Sequence, residues 1–410
     1  MHTKLPDLYY FNPTCEYAVA NGKASWQPNR LLQKMESDLA TLPLFFAQPN
    51  DYILVNSVPA SGFLSKISDL NVQLPRFITK KEALHQVNFL NIRLGKLMPW
   101  GWSPAAHKLL ESLKNYCSDE FLQSPVSNWK TEYKALYSKK FALEILKEIS
   151  SHIDPEILIP TNLQAQICTT QPEIELLIKQ WGKLMIKAPW SSSGRGLQPI
   201  TKTPVHPKVW EKLMGMVNEQ GFVMVEPLLN KVMDLALQFE LKNKKVNYIG
   251  VSRFSADKKG QYQGNFLNGF SNNTAPETET FANAVPEKIL APLVIAIENS
   301  KLASWYEGYF GVDTLIFQDK NKPLKINPCL EINVRQNMGL LSLQLEKLIK
   351  PGKKGIFRIL YQPGKTFLSF KKEMEKKYQL QLSNGKIESG FISLTDADPD
   401  SLFGAYILVE

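Results

Sequence analysis

The chain is 410 residues long, 44% hydrophobic and 21% charged, the balance of an ordinary globular protein with room for two or three domains. Its net charge of +9 is spread without a dense basic block, which argues against nucleic acid and for a solvated basic surface around an anionic small ligand. Four scattered cysteines (Cys15, Cys117, Cys168, Cys329) form no C-x-x-C pair and suit reduced thiols in a cytoplasm, while the five histidines show no zinc-ligand spacing. No apolar run is expected to reach a membrane span, and the opening MHTKLPDLYYF has no secretory h-region.

From the N-terminus, Leu8 to Asn12 reads as a strand ended by Asn12-Pro13. Residues 29–42 have helical periodicity (Leu31, Leu32, Met35, Leu39), Asp51 to Val55 is a second strand, and Pro59 to Leu70 suits a loop and helix. Strand and helix alternate as in a small parallel α/β unit. The segment MPWGWS (98–103) carries two indoles beside Gly101; packing under a loop is favoured over a substrate cleft, and Pro104 opens a helix to about Lys114. Residues 116–130 are the first candidate linker. The stretch 138–150 is an amphipathic helix with Ser138 as N-cap and Phe141, Leu143, Ile145, Leu146 and Ile149 on its apolar face. Short strands at 157–160 and 165–169 and a helix from Glu173 to Gly182 follow.

Leu184 to Ile186 then delivers Lys187 to a small-residue loop, Ser191-Ser192-Ser193-Gly194-Arg195-Gly196. Small residues let backbone N–H groups approach an anion, and a lysine at a strand end adds a point charge. The motif is neither a P-loop nor a dinucleotide fingerprint, since G-x-x-x-x-G-K-[ST] and G-x-G-x-x-G are both absent. A plain hairpin tip with a solvated lysine is the competing reading. Val209 to Glu219 is a further helix, and strands follow at 222–225, 235–241 and 246–254. The polar stretch 255–277 is a lid or a simple excursion, and Pro286 to Lys301 a helix.

Residues 311–339, GVDTLIFQDKNKPLKINPCLEINVRQNMG, read as a hairpin around Gln318 to Lys322. Glu331 and Asn333 are two apart and share a strand face that Asp313 can meet across the hairpin. Three hard oxygen donors among apolar neighbours suit Mg²⁺, which takes few protein ligands and shares phosphates. A helix from Leu340 to Ile349 and a strand-rich tail, 351–410, complete the chain, with no internal repeat.

Lys187 with its Ser/Gly loop, an acidic Glu226-Pro227-Leu228-Leu229 segment and Asp313…Glu331-x-Asn333-x-Arg335 together resemble the ATP-grasp superfamily over roughly residues 135–345. The resemblance implies an α/β (α+β) fold: a Rossmann-like N-terminal domain (1–130), two α+β subdomains (131–225 with the loop, 226–350 with the metal site) and a C-terminal accessory segment (351–410). It implies ATP and two Mg²⁺ ions, with Mn²⁺ as a substitute. Lys139, with Lys140 as competitor, would reach the phosphates with Lys187, Ser191, Ser192, Ser193, Gly194 and Gly196. Glu226 would start the adenine hinge, Leu228 or Leu229 would give its backbone donor, and Asp234 would hold the ribose. Asp313, Glu331 and Asn333 would bind metal. Arg335, Arg253 and Arg195 are the substrate or phosphate candidates; an alternative for Arg335 is a salt bridge holding Asp313 or Glu331.

The implied activity is a carboxylate–amine (or thiol) ligase that acts through an acyl-phosphate on a small-molecule or peptide carboxylate and an amine acceptor. A phosphotransferase and a non-catalytic nucleotide-binding regulator are its rivals. A cytoplasmic protein, off the membrane and compatible with a homodimer, is expected.

Overall fold

The computed structural model describes residues 4–85, 93–191, 196–257, 261–319 and 322–410. These divide into two compact units, one of 1–130, 263–271 and 335–410, the other of 131–262 and 272–334.

The first unit opens with a parallel sheet of β1 (Leu8–Tyr10), β2 (Tyr52–Val55), β3 (Arg76–Thr79) and β4 (Leu97–Pro99), in the order β3-β2-β1-β4. Parallel strands need crossovers, and the intervening segments Arg30–Asp38 and Ser61–Ser68 supply them as helices. Asn29 caps the former by accepting from Leu32 N–H. The expected helix at 29–42 therefore ends at Asp38, and 42–45 form a 3₁₀ turn.

In the second unit, β5 (Gln166–Cys168), β6 (Leu184–Lys187), β7 (Leu197–Ile200) and β8 (Val223–Pro227) form an antiparallel sheet in the order β5-β8-β6-β7. Helices Gln171–Trp181 and Pro207–Gln220 bury Ile174, Leu177, Ile178 and Leu213 with the sheet's Leu184, Ile186, Val223 and Val225. A second antiparallel sheet of this unit contains β9 (Lys231–Lys242) and β10 (Lys245–Ala256). After β11 (Tyr262–Leu267) the chain returns to it with β12 (Gly308–Phe317) and β13 (Lys325–Asn333), giving the order β13-β12-β9-β10. The segment 157–159 bonds to Ile326 from both sides. Helix Lys139–Ile149 packs on β13, and Ser138 accepts from Lys140 N–H at its N-terminus.

One helix differs from expectation. It starts at Pro276, runs to Asn299 and passes through Pro286 and Pro292, so Pro286 lies inside the helix instead of opening it. Proline at the first turn is favourable, and the interior prolines are carried by the buried face of Val285, Ile289, Leu293, Ala296 and Ile297. By length and composition this helix is apolar enough to cross a membrane, contrary to the sequence expectation; one face of it packs against helix Lys139–Ile149, β9 and β10.

The rest of the first unit is antiparallel: β11 pairs with β14 (Gly355–Tyr361), and β15 (Gln381–Ser383), β16 (Lys386–Ser393) and β17 (Phe403–Val409) extend the row as β14-β17-β16-β15. Helix Met338–Glu346 joins them, two residues earlier than the sequence suggests. Residues 351–410 thus share a core with the N-terminal part: Phe11, Leu39, Trp100, Leu341, Phe357 and Ile407 belong to one buried cluster.

Candidate active site

The hairpin β12–β13 sets the site's register. Asp313 pairs directly with Glu331, and Gly311 with Asn333, so the three expected metal donors stand on one face of the sheet. The same face carries Asp234 and Gln238 of β9, which pair with Leu315 and Gly311. Asn333 Nδ2 donates to Asp313 Oδ1 at 3.1 Å, which orients both side chains. The opposite face is Leu235, Leu237, Phe239 and Val312, all fully buried.

Lys139, first residue of its helix and 7% exposed, aims its ammonium at this face. Nζ lies 2.6 Å from Glu331 Oε1 and donates to Ser191 O at 3.0 Å. Its backbone N–H donates to Pro189 O, so helix start, loop entry and the Glu331 carboxylate of β13 are bonded into one group. A buried ammonium needs such partners. The loop entry is further held by Trp190: its backbone N–H donates to Gln220, its indole N–H to Lys134 O, and Lys134 Nζ sits 4.5 Å above the ring. Sequence reasoning did not single out Trp190.

Gly196 closes the loop. It has φ +78°, its carbonyl accepts from Ala188 N–H, and a Cβ there would lie 2.7 Å from that of Ser191. Only glycine meets both demands comfortably. Ser192, Ser193, Gly194 and Arg195 lie outside the described residues.

Lys187, at the end of β6 and 9% exposed, meets Glu226 of β8, Nζ to Oε2 at 2.7 Å. Asp234 is buried, and burial raises its carboxyl above the usual range against the pull of Lys231, at 2.7 Å, and of Lys187. Leu228 N–H donates to Lys183 O at 2.9 Å, while Leu229 O accepts from Lys231 N–H. Of the two hinge donors expected, Leu228 is therefore engaged inside the sheet. Lys231 was not anticipated, although a lysine three residues before an acid is a legible pair.

Two arginines are placed differently from expectation. Arg253 pairs across β9 with Leu235, on the face turned from the carboxylates, and Nη2 donates to Asn283 of the long helix at 3.2 Å. Strand alternation, which the sequence did not settle here, takes it away from Asp313 and Glu331. Arg335 belongs to the first unit, where Nε and Nη2 each lie 3.1 Å from a different oxygen of Glu16. It forms a salt bridge to Glu16. Gly101 packs against this pair: a Cβ there would fall 3.1 Å from that of Arg335.

The donor set fits a magnesium ion. Asp313 and Glu331 are a directly opposed carboxylate pair with an amide beside them, and among the described residues no group of three His, Cys, Asp or Glu gathers to make an all-protein site. Magnesium bound through one or two carboxylates and substrate phosphates needs no more. Cys329, two residues before Glu331, is buried and its thiol is pushed well above the ordinary range, mainly by burial, so it is no nucleophile.

No family model matches this chain, and no curated protein matches it. Solved structures do. Biotin carboxylase from Campylobacter jejuni, in a complex with β-γ-ATP, is similar over 99% of this chain and 87% of its own, with a TM-score of 0.53 and 13% identity. The chain has the ATP-grasp fold. N5-carboxyaminoimidazole synthetase from Staphylococcus aureus, complexed with ADP, aligns over 100% of this chain and 95% of its own at a TM-score of 0.49 and 14% identity. N5-carboxyaminoimidazole ribonucleotide synthetase from Thermus thermophilus aligns over 98% of this chain and 93% of its own, at a TM-score of 0.48 and 12% identity. At such identities the ATP-grasp likeness concerns the fold, and the chemistry rests on this chain's own residues.

Proposed function

We propose that this chain is an ATP- and Mg²⁺-dependent ligase that joins a carboxylate to an amine or thiol through an acyl-phosphate. One observation carries the reading: Lys139, the Ser191 carbonyl and Glu331 are bonded together, with Asp313 opposite Glu331 on the same sheet face. A triphosphate needs cations and metal-binding carboxylates side by side, and the ATP-grasp fold supplies the precedent.

On this reading Lys139 and Lys187 leave their carboxylate partners to neutralise the phosphates, and Ser191 to Gly196 cover them. Asp313, Glu331 and Asn333 hold magnesium, which when bound adds Lewis-acid stabilisation of the transferred phosphoryl. Leu229 N–H and the Glu226 carbonyl read the base edge, and Asp234 accepts from the ribose hydroxyls. A carboxylate oxygen of the substrate attacks the γ-phosphorus and the bond to ADP breaks. The amine nitrogen or thiol sulfur then attacks the acyl carbon, phosphate departs with the electron pair, and the nucleophile's proton passes to solvent. The partners are thus a small-molecule or peptide carboxylate and an acceptor, in a cytoplasmic setting compatible with a homodimer.

Calorimetry with a non-hydrolysable ATP analogue tests this. Magnesium-dependent binding by the wild type, sharply weakened in Lys187→Ala and Glu331→Ala, is expected, followed by phosphate release in an acceptor screen. A wild-type protein that binds no analogue overturns the proposal.

A further inference from the structure

The first unit contains a cavity of about 670 Å³, lined by no residue that the nucleotide reading uses. Its walls are helix Ser61–Ser68 with Asp69 after it, helix Phe367–Lys377 with Leu380 beyond it, and the end of β16 with Asp396 beyond that. These elements bury their apolar faces in three separate clusters. Phe63 packs with the parallel sheet, Leu380 and Ile392 with the unit's shared core, and Phe391 with Phe367 and Tyr406. The cavity draws its apolar wall from all three.

Two polar struts join the walls. Lys66 Nζ lies 2.9 Å from Glu375 Oε1, and Ala60 N–H donates to Asp396 Oδ2 at 2.7 Å. Lys371, one helical turn before Glu375, closes on the same carboxylate at 3.1 Å. A preformed space of this size, with an apolar wall and a few fixed charges, is what a small organic molecule requires.

The charges select the molecule. Two lysines face three carboxylates, so the lining carries an excess negative charge. Both lysines are closed on Glu375, and both Asp396 oxygens accept from backbone N–H groups, of Ala60 and Ala397. Asp69 is different: among the described residues its carboxylate has no ion-pair partner within 4.0 Å. It also stands at the C-terminus of helix Ser61–Ser68, where the last carbonyls favour a cation. Lys66, in the last turn of that helix, turns its ammonium to Glu375 instead.

We propose that this cavity binds an organic ammonium compound, its cation on Asp69 at the helix end and its apolar body against Phe63, Leu380 and Phe391. A bare ammonium ion leaves the apolar wall in water. An anion on the same skeleton meets Asp69 with like charge.

Ligand-observed NMR titration of the full chain tests this. The probes are phenethylammonium and cyclohexylammonium, each beside the alcohol and the carboxylate built on the same skeleton. Wild type should bind the ammonium form about tenfold or more tightly than either control. Asp69→Asn should erase that preference, and Asp69→Glu should keep it. Gly62 lines the cavity, and a Cβ there would meet nothing within 4 Å. The indole of Gly62→Trp therefore has room to enter, and it should weaken both ammonium probes about tenfold or more. Both positions are exposed, and a wild-type melting temperature shows that each variant has folded. The proposal is overturned if neither ammonium probe binds the wild type below about 10 mM, or if an alcohol or carboxylate binds as well as its ammonium counterpart. It is also overturned if folded Asp69→Asn keeps the preference or folded Gly62→Trp binds as the wild type does. The titration needs no nucleotide, so failure of the ATP analogue would sink the ligase reading and leave this result standing.

Discussion

The Lys139 ammonium and the Glu331 carboxylate, 192 positions apart in sequence, meet at 2.6 Å where β13 passes the start of helix Lys139–Ile149. Each satisfies the other, and on the proposed ligase reading a bound nucleotide would separate them. Removing one partner from such a pair strands the other, at about 3–5 kcal/mol. Glu331→Ala is therefore expected to lose that order of stability in urea unfolding, since Lys139 is then left with the Ser191 carbonyl. The double variant Lys139→Met/Glu331→Gln should recover most of it, yet bind no magnesium–nucleotide analogue. A double variant that loses as much as the two single variants together would show that the pair is not coupled.

Gly196 is the loop's hinge in the geometric sense. A methyl there meets Ser191 Cβ at 2.7 Å and Ala188 Cβ at 3.1 Å, on a backbone with φ +78°. Gly196→Ala should cost about 1–2 kcal/mol from the left-handed backbone alone, and it should weaken analogue binding by displacing the Ser191 carbonyl from Lys139. Differential scanning calorimetry and titration together check this; unchanged affinity would detach the loop from the phosphates.

Much of this was legible because it is local. The two-residue spacing of Glu331 and Asn333, the turn before β13 and the Lys187 strand end are short-range patterns, and ladder register turned them into a shared face with Asp313. The partnership of residues 351–410 with the N-terminal part was not legible: Phe11 and Ile407 share a core, but no periodicity links positions so far apart. Arg253 was named as a candidate, but the face it occupies was not legible, for a different reason. Val251-Ser252-Arg253-Phe254 does not alternate cleanly, so its face is fixed only by the pairing with Leu235. The long helix reads short in the sequence because Pro286 looks like a start, although a buried apolar face carries the helix through it.

Arg335 and Glu16 form a nearly buried ion pair, with side chains 14% and 11% exposed, in which Nη2 donates to one carboxylate oxygen and Nε lies 3.1 Å from the other. Glu16→Ala and Arg335→Ala should each cost about 3–5 kcal/mol, and their double variant clearly less than the sum. Arg335→Lys cannot span both oxygens and should fall between. If Arg335 also serves the substrate, Arg335→Lys will lower turnover while analogue affinity stays near that of the wild type. An additive double variant would argue against the pair, and an affinity loss would place Arg335 at the nucleotide.

His107 makes stability depend on pH. It stacks on Trp102 with centroids 4.4 Å apart, its Nδ1 lies 3.0 Å from Lys114 Nζ, and burial first, then the Lys114 charge, lowers its pKa from 6.5 to about 3. The folded state thus holds the neutral ring while the unfolded chain takes up a proton. A depressed folded value means this contribution is complete above pH 6.5 and is lost as pH falls toward 3, at up to about 1.4 kcal/mol per unit. Urea unfolding of wild type and His107→Gln between about pH 7 and pH 5 checks it. Glutamine keeps an acceptor for Lys114 and does not titrate, so the variant starts less stable for want of the stack but should decline less steeply with acid. Parallel slopes in the two proteins would mean that His107 is protonated in the fold, and that the Trp102 stack and the Lys114 contact do not hold it neutral.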